Sequence, residues 1–409
     1  MTSDSLARPA SQSAPPTSAP STRRIMSLDV IRGVVMILMA LDHVRVFSGV
    51  PAGGPTPGVF FTRWMTNFVA PAFVFLAGTG AFLYGRRVGS RRDLARFLAI
   101  RGAWLVLLEL TFLRVAWTFN FDYSHYVLAG VIWMLGWCMI LLAGLLWLPT
   151  PALAAVGLII IAGHNVMDLV APVNGDWALS TGVTWLWQIL YFGGPVQLGA
   201  EGSLAVLYSI VPWIGVMAAG YAFGQVMEWP PERRRRFCFQ LGGGAVLLFL
   251  VLRVADVYGD PRHWANAPVW HGMPAPLRFL ATSKYPASLL FLLMTLGPMV
   301  LAIPLLEKAR GKAADVLATY GRVPLFFYLL HIPLIHALAL VVSFAREGSV
   351  NPWLFLNHPM MVPPAPDGYT WSLPLLYLMT AVAVVILYIP CRWFARLKNS
   401  RRLPWLSFL

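Results

Sequence analysis

The sequence predicts an all-α protein, a polytopic bundle of about ten transmembrane helices with both termini in the cytoplasm. Of its 409 residues, 58% are hydrophobic and only 12% are charged, a composition that excludes an ordinary soluble domain. Apolar stretches run to about twenty residues, the length of a helix that crosses the hydrocarbon core. A β-barrel would instead alternate over about ten residues. Basic residues concentrate in short loops beside these stretches, as membrane orientation requires.

Ten apolar stretches are the predicted spans. They cover residues 25–47, 67–85, 95–115, 127–148, 152–171, 204–226, 237–257, 285–306, 322–345 and 372–395. Basic clusters at 23–24, 86–96, 233–236, 308–312 and 392–402 all fall on one side, which the positive-inside rule assigns to the cytoplasm. We therefore predict a disordered cytoplasmic tail over 1–24, a membrane domain over 25–396 and a second tail over 397–409.

The net charge of +14 does not indicate a nucleic-acid partner. Positive-inside topology explains the same basic residues without any nucleic acid, so the lipid bilayer is the expected partner. The three cysteines, Cys138, Cys238 and Cys391, show neither metal-ligand spacing nor a disulfide framework. We expect no metal site.

The first span contains the most informative pair of polar residues. Arg32 and His43 are eleven residues apart, about three helical turns, so they share one helix face roughly 16 Å apart. Charged and titratable side chains are costly inside a membrane and indicate a functional site. An arginine at the cytoplasmic end can bind phosphate, and a histidine near the outer end can act as a general base. A structural alternative for Arg32 is an ion pair with Asp29, three residues earlier.

Asp42 adjoins His43 but points about 100° away on a helix, so it is not an automatic orienting partner for the imidazole. It could pair with Arg45, and a catalytic role stays open. Arg101 is a second candidate phosphate ligand, unless it only extends to the membrane interface. Glu109 is expected in a structural ion-pair network, with orientation of His43 as the alternative.

Two further polar residues are candidates for substrate contact. His331 lies mid-span, where it needs a partner, either on a neighbouring helix or on substrate. Asn67 lies at the outer boundary of the second span. Together with Arg45, they form the predicted substrate-binding set.

Three stretches resemble known membrane acyltransferases. Ser27-Leu-Asp-Val-Ile-Arg-Gly33, continuing to Asp42-His43, resembles the opening of the transmembrane acyltransferase superfamily. Its acyltransferase-3 members carry an arginine, ten intervening residues and a catalytic histidine, which Arg32 and His43 match. The stretches Asp42-His43-Val-Arg and Pro71-Ala-Phe-Val-Phe-Leu-Ala-Gly78 are closer to bacterial relatives of heparan-α-glucosaminide N-acetyltransferase. The stretch Tyr320 to His331 resembles a span near the C-terminal end of these families.

The resemblance implies an O- or N-acetyltransferase in a bacterial inner membrane. Acetyl-CoA or another acyl-CoA would be the cytoplasmic donor, and a carbohydrate or cell-envelope glycan would be the outward-facing acceptor. His43 would act with Asp42, and Arg32 and Arg101 would bind the donor. One departure matters: the heparan enzyme carries a proposed catalytic histidine before its second span, whereas residues 55–64 contain none. Either His43 takes that role, which we favour, or the activity has diverged.

Two other classes of protein share some of these features. A transporter of a small polar or anionic solute would use Arg32, Glu109 and His331 to line a polar path. A membrane scaffold would use the same charges only to hold helices together. The spacing of Arg32 and His43 favours the acyltransferase, because a transporter has no known need for it. The sequence is compatible with an oligomer.

Overall fold

The computed structural model describes residues 25–124, 126–170, 184–199, 202–265, 273–356 and 363–400. Within them the α-helices are α1 (Met26–Phe47), α2 (Pro57–Met65), α3 (Val69–Val88), α4 (Arg91–Leu108), α5 (Arg114–Thr118), α6 (Val131–Leu145), α7 (Thr150–Gly163), α8 (Val166–Val170), α9 (Thr184–Trp187), α10 (Val211–Phe223), α11 (Pro231–Ala255), α12 (Ala275–Leu280), α13 (Leu289–Leu306), α14 (Lys312–Arg322), α15 (Pro324–Glu347), α16 (Trp353–Leu356) and α17 (Leu373–Ser400). Turns of 3-10 helix cover Thr66–Phe68 and Gly224–Glu228, and turns of π-helix cover Glu109–Leu113 and Gln188–Phe192.

The predicted helical membrane protein is confirmed. Among the described residues, six helices are long and apolar enough to cross a bilayer: Pro57–Val88, Thr150–Leu169, Pro231–Ala255, Leu289–Leu306, Pro324–Glu347 and Leu373–Lys398. The other predicted spans also contain helices. However, α1 includes four charged residues, and α6 and α10 have only 15 and 13 residues. The count of ten spans and the cytoplasmic placement of both termini stay predictions.

The described residues also include a small three-stranded sheet, which the sequence analysis did not predict. Strands β1 (Tyr126–Ala129), β2 (Gly194–Gln197) and β3 (Ser203–Val206) form it in the order β1-β3-β2. β1 runs parallel to β3, with Tyr126 opposite Ser203, and β2 runs antiparallel to β3. The predicted spans 127–148 and 204–226 therefore begin too early, because their first residues pair as strands. Apolar runs of this length do not distinguish a strand from the start of a helix.

Helix α1 lies at the centre of the bundle and contacts α3, α13, α14, α15 and α17. Its closest neighbour is α14. The α-carbon of Gly33 lies against the backbone carbonyl of Leu317, and that of Gly321 lies against the carbonyl of Asp29. A Cβ atom at either glycine would overlap the facing backbone. This close packing turns the polar side chains of α1 into the protein interior and away from lipid.

Candidate active site

Two cavities lie at opposite ends of α1. The outer cavity, about 560 Å3, is lined by residues from the C-terminal half of α1 and by the segments predicted to face outward. The inner cavity, about 640 Å3, is lined by residues from the N-terminal half and by basic residues of the predicted cytoplasmic loops. Val131 and Tyr328 line both cavities. The two cavities therefore approach each other at these two residues.

A pair of histidines joins α1 to α15 beside the outer cavity. His43 lines the cavity, and its Nδ1 lies 2.6 Å from Nε2 of His331. The two rings are stacked with centroids 4.8 Å apart. Trp117 packs edge-on against His43, with the two ring centroids 4.9 Å apart. His331 is fully buried, so its requirement for a partner is met by His43 and by its own helix.

When both rings are neutral, the contacts of this pair select one tautomer for each histidine. Nδ1 of His331 lies 2.6 Å from the backbone carbonyl of Tyr328, and a carbonyl can only accept, so this nitrogen carries the proton. In a neutral ring, Nε2 of His331 is then an acceptor and receives the Nδ1 proton of His43. His43 is left with a lone pair on Nε2. That is the form of imidazole that can remove a proton from a substrate.

Asp42 belongs to an ion cluster on the same cavity wall. Its carboxylate lies 3.0 Å from Nε of Arg45 and 3.4 Å from a terminal nitrogen of Arg63. Arg45 also donates to the carbonyl of Val50, and Arg63 donates to Thr66. One carboxylate is thus shared by two guanidinium groups. The predicted pairing of Asp42 with Arg45 is present, and the carboxylate is directed to the arginines.

Glu109 caps the N-terminal end of helix α6. Its carboxylate accepts hydrogen bonds from the backbone N–H groups of Ile132 and Trp133, at 2.9 and 3.2 Å. These are unpaired donors of the first turn of α6, where the helix dipole also favours negative charge. Glu109 is fully buried in the π-helical turn before α5 and lines the outer cavity. Among the described residues, Glu109 forms no ion pair, so the predicted structural ion-pair network around Glu109 is wrong.

The inner cavity is strongly basic. Arg32 lines it and donates to the carbonyl of Leu76, and one of its nitrogens lies 3.6 Å from Asp29. The ion pair predicted for Arg32 is therefore present, and the side chain still lines the cavity. The basic residues of the lining are Arg32, Arg86, Arg87, Arg101, Arg322 and Lys398, against the acidic residues Asp29 and Glu228. Such an excess attracts a polyanion.

A model of the heparan-alpha-glucosaminide N-acetyltransferase catalytic domain matches residues 24–252, more than half of the chain. The chain belongs to this family. A comparison with curated proteins finds no match. Family membership supports a membrane acetyltransferase and does not favour the transporter. The region that matches the family model includes Arg32, His43 and Glu109 but ends before His331.

The predicted site residues of this acetyltransferase-family protein separate into two groups. His43, Asp42, Arg45 and His331 lie together at the outer cavity, with His331 behind His43. Arg32 and Arg101 line the inner cavity. Asn67 is buried in a 3-10 turn and, among the described residues, is not part of either lining. Within the described residues no group of three or more His, Cys, Asp or Glu is arranged to hold a metal.

Sequence reasoning missed several residues of the outer cavity. These are Arg63, Trp117, Tyr208, Tyr285 and Tyr328. Arg63 could have been identified as a candidate from the sequence, because it is a basic residue on the side of the membrane that the positive-inside rule predicts to be poor in arginine. The aromatic residues carried none, since a tyrosine or tryptophan near a predicted span boundary is typical of the membrane interface.

Proposed function

We propose that this protein transfers an acyl group from an acyl-CoA bound in the inner cavity to an acceptor in the outer cavity, with His43 as general base. The observation that carries the proposal is the pair of cavities that share Val131 and Tyr328, with His43 beside them. Acetyl is the acyl group that the family name supports. The inner cavity would face the cytoplasm of a bacterial inner membrane.

The donor would bind through its phosphates to the basic side chains of the inner cavity. Arg32 and Arg101 are the proposed ligands, because guanidinium groups bind phosphate bidentately. The inner cavity is otherwise lined largely by apolar side chains, among them Met36, Leu105 and Leu135. An apolar wall suits the uncharged arm that carries the thioester towards Tyr328.

The acceptor would be a hydroxyl or amine of a carbohydrate or other cell-envelope glycan. Nε2 of His43 takes the acceptor proton while the acceptor oxygen or nitrogen attacks the thioester carbonyl carbon. The carbon–sulfur bond then breaks, and the CoA thiolate leaves with the proton from His43. His331 acts as a positioning residue, because its Nε2 holds the Nδ1 proton of His43 in place. Asp42 supports the cavity wall through Arg45 and Arg63, and Arg45 contributes to acceptor binding.

The direct test of the proposal is the transfer of labelled acetyl from acetyl-CoA by purified protein in liposomes, with release of CoA as the second readout. We expect CoA release to rise when a glycan acceptor is added on the face of the outer cavity. Wild-type protein that neither binds acetyl-CoA nor releases CoA would contradict the proposal.

Replacing Arg32 by glutamine is expected to weaken acetyl-CoA binding by about tenfold, because a hydrogen-bonded charge pair with phosphate is lost. The measurement is equilibrium binding of acetyl-CoA to detergent-purified protein. Arg92→Gln is the matched control, since Arg92 is an exposed arginine on the same side that does not line the cavity. Equal affinities for the Arg32 and Arg92 variants would remove Arg32 from the donor site.

Two substitutions of His331 separate positioning from packing. His331→Leu removes the acceptor for the Nδ1 proton of His43 and is expected to lower kcat by about 10- to 100-fold. His331→Gln supplies an amide oxygen that can accept the same proton and should recover part of this loss. KM for acetyl-CoA should stay unchanged in both variants. The positioning role is wrong if both variants lose the same activity, or if the loss appears in KM.

A further inference from the structure

A small side pocket, about 140 Å3, lies next to the outer cavity. Leu207, Tyr208 and Tyr285 line both spaces. The side pocket is also lined by Lys284 and Ser209. These two polar residues come from the loop before α13 and from the segment between β3 and α10.

Lys284 is a buried cation whose side chain is hydrogen-bonded to that of Tyr285. Lys284 is 7% exposed. Its ammonium lies 5.8 Å from the ring centroid of Tyr208 and 5.3 Å from that of Tyr285. Among the described residues, no carboxylate lies within ion-pair distance of it. Burial and then the Arg63 guanidinium lower the pKa of Lys284. A buried ammonium in this setting is costly unless an anion compensates it.

The two carboxylates of the neighbouring outer cavity already have closer partners. Asp42 is already shared by Arg45 and Arg63, and Glu109 is bound to the start of α6. Tyr285 is the hydrogen-bond partner of Lys284, and its hydroxyl also lies 3.4 Å from that of Tyr208. A neutral phenol does not compensate the charge of the ammonium.

Ser209 provides an independent indication of a ligand. Its side chain is buried, at 3% exposure, and its hydroxyl has no hydrogen-bond partner among the described residues. Buried hydroxyl groups are normally hydrogen-bonded, and an unsatisfied one needs an explanation. An anion beside Lys284 could accept a hydrogen bond from this hydroxyl.

We infer that the side pocket binds an anionic group of the acceptor, a carboxylate or a phosphate, with Lys284 as its counter-ion and Ser209 as a hydrogen-bond donor. This inference rests on the proposed function, since it names the class of acceptor for the same site. The acceptor is then an acidic sugar, with its anionic group beyond Tyr208 and Tyr285 and its reacting group in the outer cavity near His43. Tyr208 and Tyr285, whose hydroxyls lie 3.4 Å apart, would lie beside the part of the sugar between these two groups.

The test is equilibrium binding of three sugars to the full-length protein in detergent: glucuronic acid, glucose 1-phosphate and glucose. At least one anionic sugar should bind about tenfold more tightly than glucose, as expected for a charge-assisted contact. If only glucuronic acid binds more tightly than glucose, the anionic group is a carboxylate. If only glucose 1-phosphate does, it is a phosphate. Lys284→Gln should abolish the preference and Lys284→Arg should retain it. Lys308→Gln, which removes an exposed lysine outside both cavities, should leave it unchanged.

Three results would overturn the inference: glucose binding as tightly as both anionic sugars, no binding of any of the three, or a preference that survives in Lys284→Gln. Acetyl-CoA binding and His43-dependent transfer are measured on the same preparations. If these persist without the anion preference, only the side-pocket inference fails. If they are absent while a Lys284-dependent preference is present, the proposed function fails and the anion site stands.

Discussion

Replacing His43 by glutamine is expected to lower kcat for acetyl transfer by about 100- to 10,000-fold, the usual range for loss of a general base. Glutamine keeps a polar side chain next to His331 but has no lone pair of comparable basicity to take the acceptor proton. Acetyl-CoA affinity should change little, because the donor phosphates are proposed to bind at the other end of α1. Turnover by purified protein, with acetyl-CoA binding measured in parallel, tests both expectations.

The matched control is His263→Gln, because His263 is an exposed histidine outside both cavities. Both variants should first show wild-type thermal unfolding and the same elution volume. Activity near wild type in folded His43→Gln would show that His43 is not the general base and that its contact with His331 only packs two helices.

Replacing Arg253 by methionine is expected to destabilise the protein by about 3–5 kcal/mol, the cost of leaving a buried charge without its partner. Arg253 is fully buried, and its guanidinium lies 3.9 Å from Asp260. It also donates to the backbone carbonyls of Arg262, Arg278, Phe279 and Ala281. One side chain at the end of α11 thus fixes the chain before and after α12.

The same cluster positions the loop of the side pocket. Asp260 accepts hydrogen bonds from the backbone of Ser283 and from the hydroxyl of Ser288, on either side of Lys284 and Tyr285. Arg253→Met should therefore weaken the anion preference as well as lower the unfolding temperature in detergent. Arg236→Met, at an exposed position of the same helix, should change neither.

A second substitution distinguishes an unpaired charge from lost packing. Adding Asp260→Asn to Arg253→Met removes the stranded carboxylate, so the double variant should be more stable than Arg253→Met alone. If the double variant is less stable by the sum of the two single effects, the ion pair contributes nothing and the carbonyl contacts of Arg253 carry the whole loss.

Two of the candidate site residues could be recognised from the sequence alone. Arg32 and His43 could be identified because charged and titratable side chains are rare in membrane helices, and because helical geometry places residues eleven apart on one face. The structure places both on α1, each lining a different cavity. His331 could be recognised as a polar residue in need of a partner, but its partner lies 288 positions away in the chain. Only the packing of α1 against α15 shows that the two histidines are in contact.

The sequence by itself determined a helical membrane protein, the approximate position of its apolar helices and the two polar residues of α1. These features follow from composition and local periodicity, which the bilayer and the helix impose on any chain. The tertiary structure decided the rest: the three-stranded sheet, the sharing of Asp42 by two arginines, the contact of Glu109 with α6 and the pocket around Lys284 and Ser209. Each of these depends on groups far apart in the chain, and hydrogen bonds and ion pairs extend only a few ångströms. Their partners therefore exist only once the helices have packed.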